Sequence, residues 1–395
     1  MPNGRQSEAV EPIKARLVAG TWFAGFAMWS TLLALAPVLT QVGSELRLAR
    51  SELGFVFSLP VLALAAGAPI GGLMADRMGP RRTGTIGITL VGLGGLLRGF
   101  SFDLGSLLLF GVIFGAGWGL SLPALPKVVS GWFSRSTVGT ATGIYTTGAY
   151  VGAGLATAFV LDGSWRTSVV IWGLLALSIS AVWYVMVRDP PRVQEPTPVR
   201  LGAVARNRKL IALTVIFFFG ANVTFYTLTG WLPEILSATS QSPSTYVASL
   251  LSFSAGLTSF FVPLLSDRVR LRRPFLLVPC LGGSIASYAL FDGSTLMQEV
   301  AVVALGVAIG AVFVICLTLS AELVDRSLVG SAAGFMLLAY VGGVFGPYLS
   351  GLTQDISGGF VPTMIMLVLS FLISAVLVPI LPETGKQSVA QSYCR

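Results

Sequence analysis

Apolar and charged positions alternate along this chain on the scale of whole membrane spans. Runs free of Asp, Glu, Lys and Arg occupy 17–44, 53–75, 83–97, 104–126, 136–161 and 167–187. The pattern resumes at 210–233, 235–266, 274–291, 300–321, 327–354 and 356–382. Most of these exceed the roughly 20 residues that carry an α-helix across the hydrocarbon core of a bilayer. Their glycines and prolines would interrupt soluble helices but are normal in membrane helices. The alternation predicts an all-α membrane protein of twelve transmembrane helices, six in each half.

The charges between the runs repeat at a fixed distance. Asp76-Arg77 followed by Arg81-Arg82 returns as Asp267-Arg268 followed by Arg272-Arg273, every member displaced by 191 positions. Arg135-Ser136-Thr137-Val138-Gly139 returns as Arg326-Ser327-Leu328-Val329-Gly330 at the same displacement. Two unrelated segments sharing one offset indicate homologous halves, the organisation of transporters that rock one half against the other. The expected domains are a tail at 1–13, a six-helix half at 14–187, a linker at 188–209, a second six-helix half at 210–382 and a tail at 383–395. The linker holds Pro190, Pro191, Pro196 and Pro198 with six basic and two acidic residues, which disfavours a long regular helix in its first part. The polar ends are expected to be disordered.

Composition agrees with the membrane reading: 54% of the 395 residues are hydrophobic and 11% charged, with a mean hydropathy of +0.81, too little polar surface to coat a soluble globule. Charge also sets the orientation. With the N-terminus in the cytoplasm, 21 of the 25 basic residues fall on the inner side and only Arg47, Arg50, Arg98 and Arg166 outside, as the positive-inside rule requires. Both termini are therefore expected in the cytoplasm and the protein in the plasma (cytoplasmic) membrane. The net charge of +8 is spread over short loops facing anionic lipid, with no basic stripe that would indicate nucleic acid. The absence of His and of metal-like cysteine spacing implies no cofactor and no metal. Ala34-Leu35-Ala36 resembles a signal-peptidase site, but the apolar run before it is longer than a signal peptide's.

Gly72-Leu73-Met74-Ala75-Asp76-Arg77-Met78-Gly79-Pro80-Arg81-Arg82 resembles the loop 2-3 motif of the major facilitator superfamily, and Pro263-Leu264-Leu265-Ser266-Asp267-Arg268 its degenerate copy in loop 8-9. Within that superfamily, Leu122-Pro123-Ala124-Leu125-Pro126-Lys127, Gly143-Ile144-Tyr145-Thr146-Thr147, Trp165-Arg166 and the stretch from Phe225-Tyr226 to Trp231-Leu232-Pro233 are similar to the cyanate and nitroimidazole permease branch. The chain departs from related permeases in lacking an Arg in its first helix at Trp29-Ser30-Thr31-Leu32-Leu33, and from nitrate porters in lacking an Asn in Thr147-Gly148-Ala149-Tyr150-Val151-Gly152. Pro382-Glu383-Thr384-Gly385-Lys386 is similar to the tail of sugar porters.

The resemblance implies the major facilitator fold, with the substrate cavity on the first, fourth, seventh and tenth helices near the midplane. At that depth stand Trp29, Trp118, Asn222 with Tyr226, and Phe313. Asn222 is the most informative of them, because an amide in hydrocarbon needs a partner. Tyr145, Tyr150 and Tyr340 follow on the fifth and eleventh helices, among Gly148, Gly152, Gly154, Gly342, Gly343 and Gly346, which are expected to form a sliding surface. Lys127, at the inner end of the fourth helix, is a candidate both for anchoring that end and for attracting an anion. Arg98, near the outer end of the third, is expected to snorkel.

A carboxylate flanked by guanidinium groups at the end of a span can form charged hydrogen bonds or face a neighbouring helix N-terminus. Asp76, Arg77, Arg81 and Arg82 with Asp267, Arg268, Arg272 and Arg273 are therefore read as a cytoplasmic gate, Asp267 counting for less because its copy lacks the Gly. No Asp or Glu lies mid-span, which disfavours cationic substrates, and no nucleophile-base or paired carboxylate arrangement suggests an enzyme. The expected function is secondary active transport by alternating access of a small solute, a small anion or carboxylate first. Efflux of lipophilic compounds and a neutral-solute porter are the alternatives. The expected partners are the bilayer, a small-molecule substrate and protons as a candidate coupling ion, with the chain acting as a monomer.

Overall fold

The computed structural model describes residues 3–133, 137–160, 164–190, 205–239, 245–292, 294–324 and 328–384. Arg135, Ser136, Arg326 and Ser327 of the second repeated segment, most of the linker and most of the C-terminal tail, with Cys394, lie outside them. Every regular element among the described residues is helical. Six long helices make the first series: α1 (Asn3–Leu33), α2 (Arg50–Met78), α3 (Pro80–Arg98), α4 (Leu104–Trp132), α5 (Val138–Ala158) and α6 (Trp165–Met186). The second series is α7 (Arg208–Ala238), α8 (Thr245–Val269), α9 (Pro274–Asp292), α10 (Thr295–Glu322), α11 (Gly334–Ser357) and α12 (Val361–Ile380).

Ten of the twelve are both long and apolar enough to cross a membrane. The other two, α3 and α5, have the length, 19 and 21 residues, but are diluted by Gly84, Gly87, Gly92, Gly94 and Gly95 in one and by repeated Gly and Thr in the other. That dilution admits close approach of neighbouring helices. A Cβ on Gly94 would lie 2.4 Å from the backbone nitrogen of Phe114 in α4, and one on Gly148 of α5 would lie 2.3 Å from the carbonyl oxygen of Trp22 in α1. In lipid, where apolar burial drives helices together only weakly, such backbone contact is the principal source of association.

Local chemistry explains the helix ends. Asp103 caps α4 by accepting from the backbone N–H of Ser106 at 2.7 Å, while the Ser106 hydroxyl accepts from the backbone of Asp103 at 3.2 Å. Gly79, with φ of 87°, turns the chain between α2 and Pro80, the first residue of α3. At the other end of the chain, α1 begins at Asn3, so residues 3–13, expected as a tail, extend the helix.

The chain forms two compact units, Met1–Leu46 with Leu62–Pro196, and Arg47–Val61 with Thr197–Arg395. In the first, α1 packs on α5 and α6, and α3 on α4 and α6. In the second, α7 packs on α11, α9 on α10 and α12, and α8 on α10. The pairings α1 on α5, α3 on α4 and α3 on α6 thus recur six helices later, as a duplicated sequence requires. The second unit also takes the first half of α2, where Gly54 lies against the backbone of Pro347 in α11.

Candidate functional site

Within the first unit, α1 and α4 bring Trp29 and Trp118 together, ring centroids 5.2 Å apart and nearly perpendicular. Trp118 also packs against Phe114, one turn earlier on α4, at 5.8 Å. The Trp118 indole is 1% exposed, and its N–H meets no acceptor among the described residues. Tyr145 is half-buried and Tyr150 buried on α5. Gly148 and Gly152 of that helix rest on the backbone of Trp22 and Phe26 in α1, a tight contact inside one unit.

Arg98 departs from its expected behaviour. A snorkelling arginine would hold its head in water, but Arg98 is 1% exposed. Its guanidinium carbon lies 4.5 Å from the centroid of the Phe114 ring, and Nε, Nη1 and Nη2 have no hydrogen-bond partner among the described residues.

In the second unit the candidates converge on a residue that sequence reasoning passed over. Phe217, fully buried, packs at a tilt against Phe313 of α10, ring centroids 5.2 Å apart, and edge-on against Tyr340 of α11 at 6.1 Å. The Asn222 amide donates to the Phe217 carbonyl at 2.9 Å. This bond spans five residues, inside a stretch of α7, Phe217–Val223, that is wound as a π-helix. The wider turn loosens the backbone ladder, as commonly found at functional sites, and Asn222 occupies one carbonyl of it. Tyr226 lies one turn further on, its ring on Gly343 of α11, where a Cβ would come within 2.5 Å. The only sequence signal for Phe217 was the run Phe217-Phe218-Phe219, which resembles lipid-facing or core residues.

The two charge cassettes are wired differently. Asp76 accepts from Lys127 Nζ at 2.6 Å, and the same ammonium donates to the Gly72 carbonyl at 2.7 Å. A gate candidate and a substrate candidate are therefore one ion pair, with both side chains about one-third exposed (31% and 33%). Arg81 turns away to α6: its Nε donates to the Tyr184 carbonyl at 2.8 Å, its guanidinium covers the Tyr184 ring at 4.1 Å, and its backbone N–H reaches Asp189 at 2.9 Å. Arg77 and Arg82 are exposed.

The second copy is the more connected of the two. Arg272, 7% exposed, joins Asp267 at 2.6 Å, Glu322 at 2.8 Å and the Ser266 hydroxyl at 2.8 Å. Burial opposes the Arg272 charge, but Glu322 and Asp267 outweigh it and hold the pKa above the ordinary arginine value. Glu383 caps α9 by accepting from the backbone N–H groups of Arg272 and Arg273 at 2.6 and 3.1 Å. The sequence that resembles a sugar-porter tail thus locks this loop. Arg273 donates to the Leu381 carbonyl, and Arg268 is exposed.

A further charged cluster stands at the opposite end of α2. Arg50 Nη1 pairs with Glu234 of α7 and donates to Gln354 of α11 at 2.7 Å. The carboxylate of Asp355 accepts from the backbone N–H groups of Arg50 and Ser51 at 3.1 and 2.8 Å, a charged cap on a helix N-terminus. Two turns down, the Ser58 hydroxyl donates to the Val344 carbonyl at 2.6 Å.

Comparison with known proteins adds the following. A family model described as Major Facilitator Superfamily matches residues 17–347, and again 234–392. A hexuronate transporter of Bacillus subtilis is 26% identical over 361 residues, covering 83% of this chain and 85% of that one. A 2-nitroimidazole transporter of Escherichia coli is 25% identical over 377 residues, covering 91% and 93%, and its cyanate transport protein is 25% identical over 353 residues, covering 82% and 88%. Among solved structures, an inward open conformation of the E. coli xylose transporter aligns with a TM-score of 0.78 at 15% identity, covering 97% of this chain and 99% of that one.

Proposed function

Because the chain belongs to the Major Facilitator Superfamily, and so is a multi-pass membrane transporter of small solutes rather than an enzyme, we propose that it is an alternating-access permease for a small anion or carboxylate. The observation that carries this reading is the charge content of the spans. Among the described residues every Asp and Glu of the twelve helices stands toward a helix end and none near the middle, so a cation entering mid-membrane would meet no counter-charge. The side chains proposed to line the path are Trp29, Trp118, Tyr145 and Tyr150 of the first repeat, and Asn222, Tyr226, Phe313 and Tyr340 of the second. The hexuronate and cyanate transporters among its relatives support an anion; the 2-nitroimidazole transporter supports a small aromatic solute.

The proposed topology has six-helix halves at 14–187 and 210–382, both termini in the cytoplasm and the chain in the cytoplasmic membrane as a monomer. The cassettes of Asp76 and Asp267 then form the cytoplasmic gate, with Lys127 holding Asp76. Arg50 with Glu234, Gln354 and Asp355, which tie a helix of the first repeat to two of the second, form the latch at the outer end. Protons are the candidate coupling ion.

A thermal-shift screen of the purified protein tests the reading. Glucuronate, cyanate and 3-(3-hydroxyphenyl)propionate represent the anions, xylose and uridine the neutral solutes, and ethidium the lipophilic cations. Stabilisation by at least one anion is expected. Stabilisation by xylose or uridine alone moves the assignment to a neutral-solute porter, and by ethidium alone to efflux.

A further inference from the structure

The deepest charge in the first unit is the one the fold conceals most completely. Arg98 closes α3, so its Cα lies near the end of the span. Side chains on an α-helix lean toward its N-terminus, and the arm of Arg98 accordingly runs back into the bundle, away from the nearer membrane surface. Gly94, one turn earlier on the same face, lets α4 approach closely, since any Cβ there would strike the backbone of Phe114. Gly94 is four residues from the end of α3, roughly 6 Å at 1.5 Å per residue, so the guanidinium over the Phe114 ring lies inside the span, about one helical turn below that end.

A fully buried guanidinium with three nitrogens lacking acceptors is one of the costliest groups a protein can hold, and an aromatic face offsets only part of that cost. Two further buried donors stand on the same surface. Trp118 Nε1 belongs to the ring packed on Phe114, and Thr31 Oγ1 belongs to the side chain that fits against Gly95, three residues before Arg98. Neither has a hydrogen-bond partner among the described residues, and both residues are 1% exposed or less. A guanidinium fork, an indole N–H and a hydroxyl, with aromatic rings beside them and no carboxylate paired to the cation among the described residues, have the chemistry of a receptor for an anion.

We propose that Arg98, with Trp118 and Thr31, forms the anion-recognition site of this permease and takes a single carboxylate, or a planar monoanion of similar size, on the fork of its guanidinium. The assignment rests on the reading of the protein as an anion permease. It also accounts for the first helix doing without an arginine: the cation is supplied from α3, where it lies on the Phe114 ring of α4.

The test titrates purified full-length protein in a low-chloride zwitterionic buffer with sodium acetate, benzoate and nitrate, following tryptophan fluorescence and Tm. Trp29 and Trp118 supply a signal close to the site. Wild-type protein is expected to be stabilised by at least one of the three. Arg98→Gln should weaken that binding roughly 10- to 150-fold, the range for loss of a charged hydrogen bond, and Arg98→Lys, a point charge without the fork, should fall between. Arg98→Met guards against trivial unfolding: removing an uncompensated buried charge should leave the anion-free Tm unchanged or higher, whereas an arginine that only supports the fold would give a lower Tm. Equal affinities in wild type and Arg98→Gln, or no response of the wild type to any of the three, overturns the assignment. Anion exchange in proteoliposomes separates the two readings: anion binding lost in Arg98→Gln without anion transport by the wild type leaves the site standing and removes the permease reading, while anion transport unaffected by Arg98→Gln does the reverse.

Discussion

At the scale of single residues, the ion pair of Asp76 and Lys127 makes the most direct prediction. The two side chains are one-third exposed, so a charged hydrogen bond in this setting is screened to about 1 kcal/mol. A double-mutant cycle of Asp76→Asn and Lys127→Met on thermal unfolding should return a coupling of about that size, and additive effects would show the pair to be incidental. What the sequence exposed at this scale was position and depth. Trp29 and Trp118 were legible as mid-depth aromatics on α1 and α4, and they do meet. Direction was not legible: Arg98 has its Cα where a snorkelling arginine would, and only its burial and the contact of its guanidinium with the Phe114 ring show that its head runs inward. Phe217 was hidden for a similar reason. In a run of three phenylalanines, only the π-turn and its Asn222 bond select which ring faces the bundle.

At the scale of helices, charge-free runs and the 191-residue repeat gave the twelve elements, because a bilayer demands length and apolarity together. The two helices poorest in apolar residues, α3 and α5, owe that composition to contact, since glycine there admits a neighbouring backbone. Gly148→Ala would place a methyl 2.3 Å from the Trp22 carbonyl, and Gly343→Ala one 2.5 Å from the Tyr226 ring, whereas Gly72→Ala meets nothing within 4 Å. The first two substitutions should each cost roughly 1–3 kcal/mol as overpacking, and Gly72→Ala should be close to neutral. Thermal unfolding in detergent checks the contrast, and equal effects at all three positions would remove close helix approach as the reason for these glycines. The pairing of α2 with α7 and α11 through Arg50, Glu234 and Asp355 was not legible, because it joins positions more than 180 residues apart without any local pattern.

At the scale of the whole molecule, the proposed latches at the two ends of α2 should oppose one another. Arg50→Gln weakens the outer one and Asp76→Asn the cytoplasmic one, each by about 1 kcal/mol because the pairs are partly exposed, or about fivefold in the balance between two states. Cysteine accessibility measured from each side should shift toward outward-open in the first variant and inward-open in the second, and shifts of the same sign would show that the clusters are not opposing gates. Asp267→Asn should be felt mainly as lost stability, since Arg272 keeps Glu322 as a second carboxylate. The central claim is anion transport, and its most direct measurement is counterflow in proteoliposomes loaded with unlabelled glucuronate, cyanate or 3-(3-hydroxyphenyl)propionate, with the same compound labelled outside and xylose as the neutral control. Rapid accumulation of at least one labelled anion, with none of xylose, is the predicted result; accumulation of xylose alone would contradict it.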